Sequence, residues 1–271
     1  MTKQERLINK AKRLVRHARL PRFFNWKGRK WHPTWQVYLC HLVYTAHAPS
    51  WPRAAKFMHE YYGIEMDWTC WRKALMKWPV WAWHALVRAS AGDEPCAVAA
   101  IDGTTLARSN PSQHYLHRID REGAIGRPVQ EVVMIDVQRR KFLAWRVRAR
   151  PRGEKCDVEY LLDHSLVTPD GAFMDKGFDS DPLHAALRAR GVWSVAPTRK
   201  GCRRGRYRKQ LRDCFDWGLY WQRNLVEALI GAVKRLFGGH IRGHSWRAER
   251  AEIFSKFIAY NIGALEFKLF A

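Results

Sequence analysis

The stretch VQEVVMIDVQRRKFLAWRVRAR, residues 129–150, contains two apolar runs that are rich in β-branched and aromatic residues. The polar residues 138–140 separate the runs, and this arrangement predicts a β-hairpin. A third apolar run, Cys96–Ile101, precedes the hairpin and ends at Asp102, which is followed by Gly-Thr-Thr. The second half of the chain is therefore predicted to open with three strands.

Downstream of the hairpin, helical and extended patterns alternate. Helical spacing covers Val158–Leu166 and Pro182–Arg190, short apolar runs at Ala172–Met174 and Val192–Ala196 predict strands, and a last helix contains Glu227. The order βββαβαβα resembles the ribonuclease-H-like fold, a mixed five-stranded sheet with flanking helices. In that fold the first strand is central and the fourth lies parallel beside it. The expected class of this half is α/β.

The first half of the chain has helical spacing. Residues 1–30 contain eleven Lys/Arg and a single acid, which predicts a basic amphipathic helix. Helical patterns follow at Thr34–His47, Trp51–Tyr62 and Trp68–Trp78, and Asp67 is a good N-cap for the last of them.

The tight connection at residues 63–66 joins two of these helices in a way that suits a helix-turn-helix. Its second helix would present Arg72 and Lys73 to DNA. A plain helical bundle fits the same spacing equally well, so the pattern alone leaves both alternatives open. The charge of the chain favours DNA contact.

That charge is large, because 48 Lys+Arg against 25 Asp+Glu give a formal net charge of +23. A protein that binds a polyanion tolerates such self-repulsion most readily, so nucleic acid is the first expected partner. An anionic membrane surface is the second candidate. However, no apolar run approaches 18 residues, and the N-terminal sequence lacks the apolar core of a signal peptide. We expect an intracellular protein with no membrane partner.

The cysteines and histidines do not predict a zinc site or a disulfide framework. None of the six cysteines forms a C-x-x-C pair. The pairs His114/His117 and His240/His244 have spacings that a metal could use, but neither has nearby thiolates or a repeated partner motif. We expect reduced, mostly structural cysteines.

Small residues, polar residues and turn formers at Ala89–Pro95 predict a domain boundary. We expect residues 1–92 to form a helical, basic DNA-binding region with a helix-turn-helix. Residues 93–271 would form the ribonuclease-H-like domain.

Two acids follow predicted strands that would be neighbours in this fold. Asp102 ends the first strand and Asp175 ends the fourth. The carboxyl ends of neighbouring parallel strands meet at one edge of a sheet, so the two side chains should lie side by side. A helix packed on the sheet would bring Glu227 to the same point.

Four residues of the last helix fall on one face at 100° per residue: Tyr220, Arg223, Glu227 and Lys234, which we call the helical stripe. For an arbitrary helix the simplest interpretation is a solvated face with an i,i+4 pair between Arg223 and Glu227.

The helical stripe matches, without a gap, the Tyr-x2-Arg-x3-Glu-x6-Lys signature of one group of DDE transposases of bacterial and archaeal insertion sequences. The segments Asp102-Gly-Thr and Met174-Asp175-Lys-Gly-Phe-Asp-Ser180 are similar to the segments around that family's first two acids. The chain resembles this family from about residue 96 onward. It departs from larger members because 52 residues between Asp175 and Glu227 leave little room for an inserted β-rich domain.

The resemblance implies a transposase that cleaves DNA and transfers strands at the ends of an insertion sequence. Asp102, Asp175 and Glu227 would be its catalytic residues and metal ligands, holding two Mg²⁺ or Mn²⁺ ions, because hard divalent cations prefer carboxylate oxygens. Double-stranded DNA, as transposon ends and target, would be the partner, and a homodimer would assemble on it. The protein would work in a bacterial or archaeal cytoplasm, associated with the nucleoid.

The same resemblance assigns DNA contacts to the remaining members of the helical stripe. Arg223 and Lys234 would hold backbone phosphates, and Tyr220 would donate to a phosphate or stack on an unpaired base. Trp221 is a further candidate for stacking.

The segment Arg199–Arg212 contains eight Lys/Arg in fourteen residues, including Arg203 and Arg204. It lies between two candidate catalytic acids, which favours a loop that contacts phosphate over a merely solvated loop.

Other acids compete with the three candidates. Asp179 is an alternative to Asp175 but suits better a cap for the helix near Pro182, a role that Ser180 or Asp181 could share. We expect surface or turn positions for Asp120, Asp136, Asp157 and Asp163. Asp157 opens the helix after the third strand and is also a weaker candidate for lining the site.

Two other functions remain open on the sequence. A nuclease of the same fold would have the same acids and would differ only in not joining DNA ends. A catalytically silent DNA-binding protein derived from a transposase is disfavoured because Asp102, Asp175 and Glu227 are all intact.

Overall fold

The computed structural model of the chain describes residues 2–24, 32–48, 50–108, 128–201 and 204–263. In chain order, its helices are α1 Lys3–His17, α2 Thr34–His47, α3 Trp51–Tyr62, α4 Trp68–Met76, α5 Val80–Ala91, α6 Val158–His164, α7 Asp181–Ala189, α8 Arg206–Asp213, α9 Trp217–Tyr220, α10 Asn224–Phe237 and α11 Trp246–Asn261. Its strands are β1 Val98–Arg108, β2 Val129–Asp136, β3 Lys141–Arg148, β4 Gly171–Met174, β5 Trp193–Val195 and β6 His240–Ile241.

The chain forms two compact units. Unit 1 comprises residues 1–92 and 235–271, and unit 2 comprises residues 93–234. The division after Gly92 falls inside the segment in which the composition predicted a boundary. Gly92 has a φ of 86°, a conformation that favours glycine and that ends α5 there.

Unit 2 is built on a mixed sheet with the strand order β3-β2-β1-β4-β5. β1 is antiparallel to β2 and parallel to β4, and β4 is parallel to β5. The predicted arrangement, with a central first strand beside a parallel fourth strand, is confirmed. β2 and β4 are buried along their whole length, and β1 is buried at residues 99–101, where it pairs with β4, as expected for central strands covered on both faces.

β1 continues past the residue at which it was predicted to end. The extra residues stay in the sheet because they pair with β2, from Gly103 opposite Val132 to Leu106 opposite Val129. The pairing with β4 stops earlier, at Ile101 opposite Met174. Asp102 therefore lies inside β1 but directly follows its last parallel pair.

The helical stripe spans more than one helix. α9 ends at Tyr220, a 3₁₀ turn covers Trp221–Arg223, and α10 begins at Asn224. The single helix predicted through the stripe is therefore wrong in its first turn. Ring contacts of Tyr220 with Phe215 and Trp217, at 5.2 and 5.8 Å between centroids, turn this part of the chain inward.

In unit 1, the predicted cap of α4 is confirmed. The Asp67 carboxylate accepts hydrogen bonds from the N–H groups of Thr69 and Cys70 at 2.8 and 3.1 Å. Gly63 ends α3 in the left-handed conformation with a φ of 61°. α5 was not predicted as a separate helix. It is apolar over most of its length and is largely buried.

Residues 235–271 were expected in the second domain, but they group with the N-terminal helices in unit 1. α11 is buried on most of its surface, so it needs other helices around it. Its buried Lys256 lies 3.3 Å from Glu252 and donates to the carbonyl of Gly238 at 3.0 Å. Asn261 also donates to Ser90 of α5 at 3.0 Å. These contacts hold α11 within unit 1.

No helix of the described residues is both long enough and apolar enough to cross a membrane. The cysteines that the structure describes are free thiols: Cys40, Cys70, Cys96, Cys156 and Cys214. Cys202, Asp120 and the pair His114/His117 lie outside the described residues.

Candidate active site

Asp102 and Asp175 lie at the same edge of the unit 2 sheet. Each directly follows the last parallel pair of its strand, Ile101 opposite Met174. Asp102 is half-buried, whereas Asp175 is exposed at the end of β4. The parallel register therefore brings together the two acids that the sequence singled out.

Arg223 connects Glu227 to Asp102. Its Nη2 donates to Glu227 Oε1 at 2.7 Å, and its Nη1 lies 3.5 Å from Asp102 Oδ2. The guanidinium is largely buried, with 13% of the side chain exposed, while 56% of the Glu227 side chain is exposed. The predicted i,i+4 pair is thus present, but it does not lie on a free solvated face, because the same arginine reaches the sheet.

The surroundings of Asp102 disfavour its charge. Burial raises the pKa of Asp102 to about 6, and the carboxylates of Glu227 and Glu154 add to that rise. A hydrogen bond from the N–H of Gly103, at 2.9 Å, and the Arg223 guanidinium oppose it without cancelling it. Asp102 is thus a carboxylate whose charged form is disfavoured mainly by burial.

Lys234 also reaches β1. Its Nζ donates to Thr104 Oγ1 at 2.8 Å, from the half-buried part of α10. Thr104 is two residues after Asp102, so both side chains emerge on the same face of the strand. Arg223 and Lys234 therefore both reach β1 between Asp102 and Thr104, and Glu227 contacts Arg223.

Tyr220 is placed differently from the rest of the helical stripe. Only 8% of it is exposed, and it packs in a cluster with Phe173, Val195 and Leu211. This burial disfavours the expected stacking of an unpaired base on the Tyr220 ring, because neighbouring side chains already pack against it. The adjacent Trp221 is 63% exposed and is the better placed of the two for such a contact.

Asp179 is an anchor for the basic segment, not the predicted helix cap. Its buried carboxylate accepts from Arg208 Nε at 2.7 Å and from the N–H of Arg199 at 3.0 Å. Ser180 occupies the N-cap position of α7 instead. The segment expected as a loop also forms α8, on which Arg208 lies. Arg204 is exposed beside it, and Arg203 lies outside the described residues.

Asp157, the weaker candidate for the site, has a structural partner. It is fully buried and is held by Arg148, whose Nε donates to Asp157 Oδ2 at 2.7 Å and whose Nη2 contacts Oδ1. Asp136, expected at a surface or turn position, opens the hairpin turn and accepts from the N–H of Arg139 at 2.8 Å. Its side chain is buried and pairs with the Arg139 guanidinium at 2.7 Å. Asp163 is exposed beside Arg190, as expected for a surface residue.

Sequence reasoning missed a further acid near this edge, Glu154, whose carboxylate lies against the backbone of β1 at Gly103. Burial raises the pKa of Glu154, and the carboxylate of Asp175 raises it further, against a hydrogen bond from Gln130. A Cβ on residue 103 would overlap the Glu154 carboxylate. In the sequence Glu154 is one charged residue among several in RPRGEK. The one sequence feature that could have pointed to it is Gly103, because a glycine inside a strand allows another group to approach the backbone closely.

The donor chemistry of this edge suits divalent cations. Asp102, Asp175 and Glu227 offer carboxylate oxygens, the ligands that Mg²⁺ and Mn²⁺ prefer. Within the residues that the structure describes, no three acidic, His or Cys side chains lie close enough together to enclose a metal ion. Arg223 lies between two of the carboxylates.

Unit 1 has a groove along α4, with a volume of about 550 Å³. Four exposed cations surround its largely apolar floor: Arg72, Lys73 and Lys77 of α4 and Arg247 of α11. The remaining lining residues are Trp68, Thr69 and Met76. Arg72 and Lys73, the two residues of unit 1 predicted to contact DNA, are both in this α4 groove. Arg247 joins them from a part of the sequence that was assigned to the other domain.

Comparison with known proteins relates the chain to transposases. A family model described as transposase DDE domain matches residues 97–262. The fold is similar to that of piggyBac transposase, solved as a synaptic complex with hairpin DNA, with a TM-score of 0.52 and 11% identity over 96% of this chain and 73% of that chain. A search of curated proteins finds no match. Because the family model covers more than half of the sequence, the chain belongs to the transposase DDE domain family.

Proposed function

We propose that the protein is a transposase that cleaves DNA at the ends of an insertion sequence and joins the freed 3′ ends to target DNA. Unit 2 would be its catalytic unit, of ribonuclease-H-like fold. The observation that carries the proposal is the position of Asp102 and Asp175 after the last parallel pair of β1 and β4, with Glu227 linked to Asp102 through Arg223. Carboxylates gathered at one edge of a sheet are the kind of donor that a two-cation phosphoryl-transfer site uses.

Asp102, Asp175 and Glu227 would hold two Mg²⁺ or Mn²⁺ ions. When bound, such ions activate an oxygen nucleophile and stabilise the departing 3′ oxygen. The protein's own part is to fix the carboxylates. The sheet register fixes Asp102 and Asp175, and the start of α10 fixes Glu227.

Arg223 would alternate between the acids and DNA. In the structure it compensates part of the charge of Asp102 and Glu227. Moving its guanidinium onto a backbone phosphate leaves both carboxylates free for cations and uses the planar fork for bidentate binding. Lys234 would similarly exchange Thr104 for a phosphate oxygen.

Unit 1 would bind the transposon ends through the α4 groove. Its cations supply the salt-dependent attraction to phosphates, and α4 is the second helix of the candidate helix-turn-helix. A homodimer on DNA would bring two such units to a pair of ends.

The proposal is tested by incubating the purified full-length protein with its flanking DNA ends, a target plasmid and Mg²⁺, and resolving the products on a gel. We expect both nicked ends and joined products. Asp102→Asn should give neither, while the matched control Asp163→Asn, a surface acid, should give both. Cleavage without joining would replace the proposal by a nuclease. Absence of both products from wild-type protein that binds the ends would indicate a silent DNA-binding protein.

A further inference from the structure

The outer face of α1 is strongly cationic. Six exposed cations of the helix and of the residue after its end form a surface that we call the α1 ridge: Lys3, Arg6, Lys12, Arg13, Arg16 and Arg19. The single acid of the helix, Glu5, serves its N-cap, where it accepts from the N–H of Thr2 at 2.8 Å. Among the described residues, no acidic side chain pairs with a member of the ridge.

The stability of α1 does not account for these charges. The helix dipole favours a cation in the last turn, which suits Arg16, but it disfavours Lys3 and Arg6 at the opposite end. Lys12 and Arg16 are four residues apart, so their charges repel each other along the helix. The distribution of cations is therefore costly in the isolated chain, and an external anion would offset that cost.

The residue that follows α1 carries a separate sign of the same preference. Arg19 has a φ of 51°, in the left-handed region. Its N–H donates to the carbonyl of Arg16 at 3.0 Å, and the N–H of Leu20 donates to the carbonyl of Val15 at 3.1 Å. These are the two hydrogen bonds of a Schellman motif, in which glycine usually occupies the position of Arg19. An exposed arginine is thus present where the backbone favours a residue without a side chain.

The other side of α1 decides between two kinds of anionic surface. Its apolar side chains are buried within unit 1: Leu7, Ala11, Leu14 and Val15. A basic amphipathic helix that binds a membrane inserts its apolar face among the lipids, and this face is already used for packing. The α1 ridge therefore suits a ligand that meets only the cationic side chains, as the phosphates of duplex DNA do.

The α1 ridge is distinct from the α4 groove. Lys10 of α1 donates to the carbonyl of Ile262, just after the C-terminal end of α11, at 2.9 Å. Arg247, which lines the α4 groove, lies in the first turn of α11. A helix of 16 residues is about 24 Å long, so α1 and the groove are at opposite ends of α11.

We propose that the α1 ridge is a second DNA-binding surface of unit 1, which contacts the phosphate backbone of duplex DNA irrespective of sequence. The inference rests on the proposed function in that its ligand is DNA. The α4 groove recognises the transposon ends, and the α1 ridge adds affinity for any duplex. Because phosphate contacts carry no sequence information, its contribution is the same on transposon ends and on random DNA.

The test uses the full-length protein and two duplexes of about 30 base pairs, one with a transposon end and one of random sequence, titrated by fluorescence anisotropy at several salt concentrations. Arg13→Gln/Arg16→Gln removes two charges of the ridge. We expect it to weaken binding of both duplexes by the same factor and to lower the salt slope by about two units. An unchanged slope and affinity would overturn the inference.

A matched control separates the ridge from the net charge of the chain. Lys56→Gln/Arg190→Gln also removes two exposed cations, but these already pair with Glu60 and Asp163. We expect it to bind both duplexes like the wild type. If the control loses as much affinity as the ridge variant, overall charge explains the effect and the ridge has no role of its own.

Two further variants exclude a merely structural role. Arg13→Lys/Arg16→Lys keeps the charges and should retain DNA binding, because phosphates respond to charge; a loss equal to that of the glutamine variant would contradict the inference. Arg19→Gly should weaken DNA binding and lower the salt slope by about one unit, with an unchanged or higher melting temperature, because glycine suits the left-handed conformation. A lower melting temperature with normal DNA binding would make Arg19 structural and count against the ridge.

Other outcomes distinguish this inference from the proposed function. If Arg13→Gln/Arg16→Gln loses binding to vesicles of phosphatidylserine and phosphatidylcholine but binds DNA normally, the ridge is a membrane surface and the inference fails. If that variant binds DNA normally while Asp102→Asn abolishes cleavage, the transposase stands without the ridge. If the wild type binds DNA through the ridge but neither cleaves nor joins it, the ridge stands and the transposase proposal fails.

Discussion

The acidic edge of unit 2 and the α4 groove of unit 1 carry opposite charges, and they also differ in how their side chains are fixed. At the edge, the strand register, the Arg223 bridge and the Gln130 contact set the positions of Asp102, Glu227 and Glu154. In the groove, the cationic side chains are exposed over an apolar floor.

This difference matches two kinds of ligand. A cation site fails when one oxygen is displaced, because coordination requires defined geometry. A phosphate backbone is held by the sum of many charges, so single cations can be moved or lost with graded effects. We therefore expect substitutions at the edge to act in an all-or-none manner and substitutions in the groove to act by degrees.

The largest effect is expected from Asp175→Asn, which should reduce Mg²⁺-dependent cleavage below detection while leaving affinity for the transposon ends nearly unchanged. The double variant Asp102→Asn/Asp175→Asn should be no worse than either single variant, because a site that works as a unit is lost with its first member. Gel cleavage and fluorescence anisotropy on the same proteins measure both properties. Residual cleavage by Asp175→Asn would exclude this residue from the site. It would also contradict the expected contrast between all-or-none effects at the edge and graded effects in the groove.

A graded effect is expected in the groove. Arg72→Ala or Lys73→Ala should weaken end binding and lower the salt slope by about one unit, with Mn²⁺ affinity unchanged. If either residue reads bases, the loss on the specific site should be roughly 1–3 kcal/mol, with little loss on random DNA. Lys56→Ala, on the exposed face of α3, is the matched control. Normal end binding by both groove variants would show that DNA lies elsewhere.

Lys234 lies at the acidic edge, but we expect its substitution to have a graded effect on DNA binding, like substitutions in the α4 groove. Lys234→Ala should weaken binding of the cleaved end and reduce the salt slope by about one unit, without loss of Mn²⁺ binding. Lys234→Arg keeps the charge but replaces a compact ammonium by a planar fork, so partial activity is expected. If Lys234→Ala binds the cleaved end and cleaves DNA at the wild-type rate, Lys234 has only a structural role through its contact with Thr104.

The smallest effect concerns stability and pH. Because the pKa of Asp102 is raised from 3.8 to about 6, the folded chain holds a proton between about pH 4 and 6 that the unfolded chain has released. The contribution of this group to stability is complete below about pH 4 and is lost as the pH rises through 6. Asp102→Asn should therefore melt about 2–4 °C higher than wild type at pH 7.5 without metal.

At pH 4 the same comparison should show no gain, and the surface variant Asp163→Asn should show none at either pH. A lower melting temperature for Asp102→Asn at pH 7.5 would mean that the Arg223 contact outweighs burial at this residue.

Much of the arrangement follows from local patterns. Apolar runs predicted the strands, and the order of elements predicted that β1 and β4 would be parallel neighbours, so the adjacency of Asp102 and Asp175 was accessible from the sequence. The cap at Asp67 was accessible too, because capping depends on residues within one turn.

Several errors share one cause, which is that the partner of a side chain lies outside its own helix or strand. Asp157 and Asp179 looked available, but Arg148 and Arg208 neutralise them. Tyr220 looked like part of an exposed stripe, but Phe173 of β4 and its neighbours cover it.

The sequence by itself determined the family, the order of strands and helices, and the acids at the ends of the two parallel strands, because these depend on periodicity and on a motif of fixed spacing. Only the tertiary structure decided which charges are compensated. It brought Glu154 to Gly103, directed Arg223 to both Asp102 and Glu227, and added Arg247 of α11 to the α4 groove. The electrostatic state of a side chain depends on burial and on distances between residues remote in the chain, and no local pattern in the sequence encodes these.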